Sequence, residues 1–437
     1  GKFVDAANIY SSILTQLGET IPDSVSTETS TSIVTETLNM CREIFNDEWI
    51  QTKMEESLCF IPKFYCEWAL SAFFCKPRPY VTYISCKAVQ LCLRNGMCHS
   101  APLSFLNFIV LALSRDNVPL LYRIGSGAIS LLARFNITDR VCDCYYPFYA
   151  GVAWKVEHFQ LCADKLIQAS SSALSNGNPN IGMYCLVQAN YMYIFCGKNL
   201  RSLLVEIDYY LNFMKSYKNE VAKTYFLANR ETVSMLIDKG LETGIEVKPS
   251  FGDMENPLNK QREMFFFHQA IRCYWLGYAE RFKYFSQKCL EMFGHLLQFN
   301  TSQIKFYHGL YLVETQKKKK SKETLRLAIA DMRDAVAMSE WNFMNKLELL
   351  EAELHSFDKK SNQAIASYDA SIASARNSRF THEQGLACEK AGFHCKREKD
   401  KGRALEYFEQ ARECYEEWGS STKVDFIQKE MNQLNNY

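Results

Sequence analysis

The feature that most constrains this chain is a stripe of side chains that returns along its C-terminal part: a small residue, a large one four positions on, and a small one three further. Ala404, Phe408 and Ala411 form it in "ALEYFEQARECYEEWG", Ala364, Tyr368 and Ser371 in "AIASYDAS", and Ala328, Met332 and Ala335 in "AIADMRDA". Steps of four and three put all three residues on one face of an α-helix. The small residues let a partner helix come close, and the large one fills the gap to the next pair. The intervals between stripes are 36 and 40 residues. A unit that returns at such a period describes stacked helical hairpins, each burying its apolar face against its neighbours.

The pattern resembles the second helix of a tetratricopeptide hairpin, whose period is about 34 residues. Gly392 in "CEKAGFHC" lies before Ala404, where the first helix of such a hairpin needs a small residue at its crossing. Met332 and Ser371 weaken the pattern locally. Ala6, Tyr10 and Ile13 in "FVDAANIYSSIL" make a fourth, looser copy. The expected fold is all-α, a superhelical solenoid of tetratricopeptide-like helical hairpins with about twenty helices.

Punctuation agrees with helices joined by short turns, since 437 residues hold only 10 prolines and 19 glycines. Gly18 and Pro22 close a first helix, and the polar stretch "ETIPDSVSTETSTS" reads as a loop. Pro77 and Pro79 break the chain in "KPRPY". Apolar spacing then predicts helices near 81–94, 102–113, 119–134, 144–157, 159–175, 179–196, 200–216 and 219–238. The expected organisation is a degenerate helical-repeat segment over 1–239, a polar connection over 240–260, and tetratricopeptide-like repeats with a C-terminal connecting helix over 261–437.

Composition bounds the partners. Fifty Lys+Arg against 49 Asp+Glu leave a net charge of +1, which gives no electrostatic reason to expect nucleic acid. The longest apolar stretch, "PLSFLNFIVLALS", is too short for a bilayer, so no membrane span is expected. The 17 cysteines are odd in number, spread out, and placed on apolar helical faces, which predicts reduced, buried thiols. No basic-then-apolar leader opens the chain. A cytoplasmic protein is the expectation.

The C-terminal stretch "SYDASIASARNSRFTHEQGLACEKAGFHC…ALEYFEQARECYEEWGSSTKV" resembles the helical region of large STAND-class signalling ATPases. These join a kinase-like domain, an AAA ATPase, tetratricopeptide-like repeats and a histidine kinase or cyclase output. Trp418, Gly419 and Lys423 match a Trp-Gly-x-x-x-Lys tail. Leu17, Gly18 and Pro22 match an opening motif, and Leu91, Gly96, Ser100 and Ala101 a recurrent turn. The resemblance implies a non-catalytic region that mediates protein–protein interaction and couples a regulatory ATPase to an output domain. Its partners would be other proteins or neighbouring domains of the same polypeptide.

Residues able to carry chemistry favour packing instead. Cys388, His394 and Cys395, with His382 nearby, have the right types for zinc but share the face that Gly392 assigns to the hairpin. Cys142 and Cys144 have no second pair. Gly125 and Gly127 form a Gly-x-Gly without a preceding strand, so close helix packing is the better reading. Asn212, Ser216 and Glu220 step by four as in a terpene-synthase magnesium motif, but no aspartate-rich helix precedes them. Lys317 to Lys320 and Lys322 read as a solvated loop. No phosphate-cradling glycine loop is present, so no cofactor is expected. The concave surface of the last complete hairpin would carry Glu389, Phe393 and Lys396. A free-standing tetratricopeptide adaptor and an all-α metal-dependent enzyme are the alternatives.

Overall fold

The computed structural model describes residues 2–72, 75–217, 219–238, 260–294, 298–315 and 319–436. Among these residues the chain is helical throughout, and no helix is long and apolar enough to cross a membrane. The only β contact among them is an isolated parallel bridge between Lys53 and Met97. The chain divides into two compact units, Gly1–Ala153 with Ala169–Ile181, and Trp154–Gln168 with Gly182–Tyr437. Apart from Lys260, the connection expected at 240–260 lies outside the described residues.

The first unit holds α1 (Lys2–Gln16), α2 (Thr27–Ile44), α3 (Asp47–Gln51), α4 (Phe60–Ala72), α5 (Arg78–Asn95), α6 (Ala101–Leu111), α7 (Val118–Arg134) and α8 (Val141–Tyr145). α1 packs on α4, α2 and α4 on α5, α5 on α6, and α6 on α7. Trp68 anchors one core, with Tyr65 at 6.1 Å and Tyr80 at 5.8 Å between ring centroids. In α1 the buried positions are Ala7 and Leu14 rather than Ala6 and Ile13 of the loose fourth copy. The polar stretch expected to be a loop ends early, because Ser26 caps α2 by accepting from the Thr29 N–H. Gly125 and Gly127 do serve packing: a Cβ on them would lie 2.5 Å from the Phe148 ring and 2.7 Å from the Phe45 ring.

α9 (Phe159–Ser175) and α10 (Pro179–Ile194) follow in the chain. The second unit continues with α11 (Leu200–Met214), α12 (Glu220–Ile237), α13 (Lys260–Trp275), α14 (Ala279–Phe293), α15 (Phe299–Thr315), α16 (Lys319–Val336), α17 (Glu340–Phe357), α18 (Ser361–Asn377), α19 (Thr381–Arg397), α20 (Lys401–Trp418) and α21 (Ser421–Asn435). From α11 to α21 each helix packs on the next. The odd-numbered helices α13, α15, α17 and α19 also touch in series, and α21 returns to α12.

The stripes lie where these helices cross. Ala404, Phe408 and Ala411 on α20, and Ala364, Tyr368 and Ser371 on α18, are all buried. A Cβ on Gly392 of α19 would lie 2.6 Å from the Phe408 ring, so the crossing excludes even a methyl group. On α16, Ala328 and Met332 are buried and Ala335 is half-buried. Gly309 of α15 meets this stripe, with its Cβ position 3.2 Å from the Cβ of Ala328. The lysine run expected as a loop enters α16 at Lys319, and Lys322 pairs with Asp358.

Turn geometry gives the last helices one register. A residue with left-handed backbone follows each: Lys359 (φ 57°), Arg379 (φ 59°), Lys399 (φ 62°) and Gly419 (φ 89°). Their step is a constant 20 residues. The same bond closes every turn, from the N–H of Lys360 to the His355 carbonyl (3.0 Å), Phe380 to Ala375 (2.9 Å), Asp400 to Cys395 (2.9 Å) and Ser420 to Tyr415 (3.0 Å). This is the six-to-one bond of a Schellman cap. Two such steps make the interval of 40 between Ala364 and Ala404.

An aromatic hub joins the N-terminal ends of α15, α17 and α19. Phe159 lies 4.8 Å from Phe299, 5.7 Å from Phe343 and 5.9 Å from Phe380. Asn342 seats the segment leading into Phe159. It donates to the carbonyls of Trp154 (3.1 Å) and Glu157 (2.7 Å) and accepts from the Phe159 N–H (3.1 Å). His158 contacts the Ser378 carbonyl at 2.9 Å, and Trp341 Nε1 donates to Val156.

Three of the four caps place a side chain in a conformation that costs an L-residue about 1–2 kcal/mol. Arg379→Gly and Lys399→Gly should therefore each raise the unfolding free energy by about 0.5–1 kcal/mol, after the extra chain entropy of glycine. Gly419→Ala should lower it by about 1 kcal/mol. Urea denaturation followed by circular dichroism measures all three, and destabilised glycine variants would contradict the strained-cap reading.

Candidate binding groove

Residues of α13, α14, α15, α17, α19 and α21 line a groove of about 990 Å³, at the upper end of the size range of ligand pockets. Tyr274, Trp275, Tyr311, Phe357, Phe393 and Phe426 give it an aromatic lining. Phe426, 39% exposed, stands 6.0 Å from Phe393 across the groove. The helical period brings these rings together, because Phe393 and Phe426 lie one turn beyond Glu389 and Thr422 on their own helices.

A buried ion pair forms the floor. Lys423 Nζ lies 2.6 Å from Glu389 Oε2, and Tyr415 Oη donates to the same oxygen at 2.6 Å. Burial alone would raise the Glu389 carboxyl. Lys423, then Lys390, and the hydrogen bonds from Lys423 and Tyr415 outweigh it and hold the group below its ordinary value. The Lys423 ammonium sits within 6 Å of three ring centroids, Phe426 (4.8 Å), Tyr415 (5.1 Å) and Trp275 (5.8 Å).

The residues of the Trp-Gly-x-x-x-Lys tail thus have local jobs. Trp418 is buried 4.9 Å from Trp275, Gly419 is the left-handed cap, and Lys423 neutralises Glu389. Ser420 caps α21 through the Lys423 N–H and bonds the Leu236 carbonyl on α12, which brings α21 round to the start of the series.

Between groove and hub lies a second buried pair. Lys346 and Glu383 have side chains 0% and 1% exposed and meet at 2.7 Å. Asn345 Nδ2 donates to the same carboxylate oxygen at 2.5 Å, and Lys346 also donates to the Asn342 carbonyl at 3.0 Å. The Lys346 ammonium faces the Phe380 ring at 4.8 Å. Burial holds it below the usual lysine range despite the attraction of Glu383.

The sequence-derived site residues are distributed as follows. Glu389 and Phe393 line the groove; Glu389 is buried and engaged, and Phe393 is half-buried. Lys396 is not among the lining residues; its Nζ stands 6.0 Å from the Phe393 ring centroid and pairs with Glu430 at 2.6 Å. His394 bridges the hydroxyls of Ser356 (2.9 Å) and Ser361 (3.0 Å), while Cys388 and Cys395 are buried. Fifteen of the 17 cysteines are buried, Cys142 and Cys144 among them. No group of three or more His, Cys, Asp or Glu side chains among the described residues could hold a metal ion. Asn212, Ser216 and Glu220 do not share a helix face: α11 ends at Met214, Ser216 lies in the turn, and Glu220 opens α12.

Sequence reasoning missed Lys346, Asn342 and Phe426. Only Lys423 carried a signal, as the end of the tail motif. Compared with protein-family models and with curated proteins, the chain matches none.

Two predictions follow from the buried charges. Lys346→Met leaves Glu383 charged in an apolar setting and should cost about 3–5 kcal/mol, whereas Lys346→Met with Glu383→Leu should recover most of that loss. Chemical denaturation of both variants measures the difference, and equal losses would contradict it. The second concerns acid. Burial drives His268 down to about 3, with Arg272 adding to it, and His308 and His382 down to about 4. Unfolded histidine titrates near 6.5. Their contribution is therefore complete above pH 6.5 and is lost as pH falls through 6.5 toward 4, by roughly 3 kcal/mol for each. Neither ring nitrogen of His382 has a hydrogen-bond partner. His382→Phe should therefore retain stability at pH 7 and flatten the loss between pH 6.5 and 4.5; an unchanged slope would count against this assignment.

Proposed function

We propose that the second unit is a tetratricopeptide-like superhelix whose inner groove binds a segment of a partner protein, and that the chain acts by interaction rather than catalysis. The observation that carries this reading is the aromatic groove itself, lined mainly by the odd-numbered helices α13, α15, α17, α19 and α21, with Ala279 and Phe282 of α14. Repeat proteins use such inner faces as extended binding surfaces. The buried carboxylates that line the groove are engaged within the protein: Glu389 with Lys423 and Tyr415, Glu353 with Tyr368. An aromatic lining in which Phe426 is exposed and Phe393, Tyr274 and Phe357 are half-buried, flanked by charge, suits recognition of an extended peptide. The wider role implied by the STAND resemblance, coupling an ATPase to an output domain, rests on the tail residues, whose side chains are accounted for by packing in the last hairpin.

Selection of peptides from a random displayed library tests the reading. Selected sequences should bind the intact chain at micromolar strength, and Phe426→Ala should weaken them at least fivefold with an unchanged melting curve. Absence of any binder, or binders indifferent to Phe426→Ala, would overturn the groove as the site.

A further inference from the structure

The last hairpin brings two thiols together at its tightest crossing. Gly385, Cys388 and Gly392 follow at steps of three and four, so they share the face of α19 that meets α20. Ala411 and Cys414 stand three apart on α20. The glycines let the two backbones close in. A Cβ on Gly385 would lie 3.0 Å from the Cβ of Cys414, and one on Gly392 would lie 2.6 Å from the Phe408 ring. Cys388 lies between these two contacts, one turn on from Gly385. Its S–H donates to the Cys414 sulfur. Both residues are free thiols in the structure.

The two sulfurs are not equivalent. Cys388 is 0% exposed, whereas Cys414 is 7% exposed and sits between the exposed Glu413 and Glu417 at the edge of α20. The S–H from Cys388, helped by Arg376, holds the Cys414 thiol below its ordinary value against burial, Glu417 and Glu413. Donating that hydrogen, and then burial, push Cys388 up. The sulfur nearer solvent is therefore the one with thiolate character. Cys395 offers Cys388 no alternative partner. Seven residues of helix set the two about 10.5 Å apart along the axis, beyond the roughly 7 Å that a disulfide spans between Cα atoms.

We propose that Cys388 and Cys414 form a redox modification site, where a peroxide converts the thiol pair into a disulfide that staples α19 to α20. The Cys414 thiolate attacks one oxygen of hydrogen peroxide, the O–O bond breaks, and the departing hydroxide takes up the proton that Cys414 released. Cys414 is then a sulfenic acid. Cys388 gives up its own proton and attacks the Cys414 sulfur, the S–O bond breaks, and the oxygen leaves as a second water. Each sulfur loses one electron, and the peroxide gains both. The disulfide closes a loop through the turn at Lys399 and so restricts the unfolded chain. It also fixes against α20 the helix that carries Glu389 and Phe393 of the groove.

Peptide mapping of the intact chain tests it. The reduced protein, freed of reductant, is treated with a few equivalents of hydrogen peroxide, blocked with iodoacetamide and digested with trypsin. Cleavage after lysine and arginine leaves Cys388 alone in 380–390 and Cys414 alone in 413–423. These two peptides should appear joined, two hydrogens lighter than their sum, as the first oxidised species, and should separate on dithiothreitol. The oxidised chain should melt at least about 3 °C above the reduced one. Cys388→Ser, whose hydroxyl still donates, should leave Cys414 as a sulfenic acid trapped by dimedone. Cys414→Ser should leave residue 388 unoxidised and abolish the rise in melting temperature. The wild-type map stands even where a variant fails to fold. Cys388 and Cys414 remaining free while other cysteines are oxidised would overturn the site, as would either one joined to a different cysteine. A sulfenic acid on Cys388 in Cys414→Ser would overturn the assignment of Cys414 as the attacking thiol. A disulfide that leaves the melting temperature unchanged would overturn the staple.

Discussion

The end of every late helix imposes the constraint on which the second unit depends. A left-handed residue at 359, 379, 399 and 419 turns the chain back at a constant interval of 20 residues. Helices α17 to α20 therefore have matched lengths and phases. The small residues of one helix then meet the large residues of its partner, as Gly392 meets Phe408. A turn longer by one residue would rotate the next helix by about 100° and carry its stripe off the crossing. Three of the four positions are lysine or arginine rather than glycine, so cap strain is tolerated for the sake of register, and tertiary packing supplies the compensation.

That register has a second effect. It stacks the inner helices so that their N-terminal ends share one aromatic hub while their flanks open into the groove. The hub is filled by Phe159 and by a backbone segment that Asn342 seats through three hydrogen bonds. The Lys346–Glu383 pair lies beside it, wholly buried. Such a pair adds little net stability over apolar residues of the same volume, because desolvation cancels most of the attraction. What it does impose is a penalty on any packing that separates α17 from α19. The Glu389–Lys423 pair acts likewise between α19 and α21, and so fixes the helix that closes the groove.

The extent to which the site could be read in advance varied with the range of the interactions. The stripes at 364–371 and 404–411 depend on neighbours along the chain, and their residues are buried as their spacing required. Glu389 and Phe393 were picked out as flanking Gly392, and both line the groove. Lys396 stands on the same helix but pairs with Glu430 on α21, a partner 34 positions away that local spacing does not report. Asn342 and Lys346 gave no signal. Apart from the bond from Lys346 to the Asn342 carbonyl four positions back, their partners lie between 37 and 188 positions away, and nothing in the local spacing reports a bond of that range. The expected loops before α16 and α2 end sooner than polarity suggests, at Lys319 and Thr27, for a related reason, Lys317 and Lys318 lying outside the described residues. Helix propensity and a serine cap outweigh polarity when one face finds a core.

The sequence by itself determined that this chain is built of helices, where most of them begin and end, and which small and large residues meet at the last crossings. Period and punctuation are local properties, set by backbone sterics and by side chains three or four positions apart. The tertiary structure decided the rest: that the inner helices converge on one hub, that α21 returns to α12, and that six helices line an aromatic groove. Those features depend on where a side chain points after ten or more crossings have been compounded. A small rotation at each crossing is invisible in any one repeat, and only their sum brings Trp275 against Trp418, and Phe393 across from Phe426.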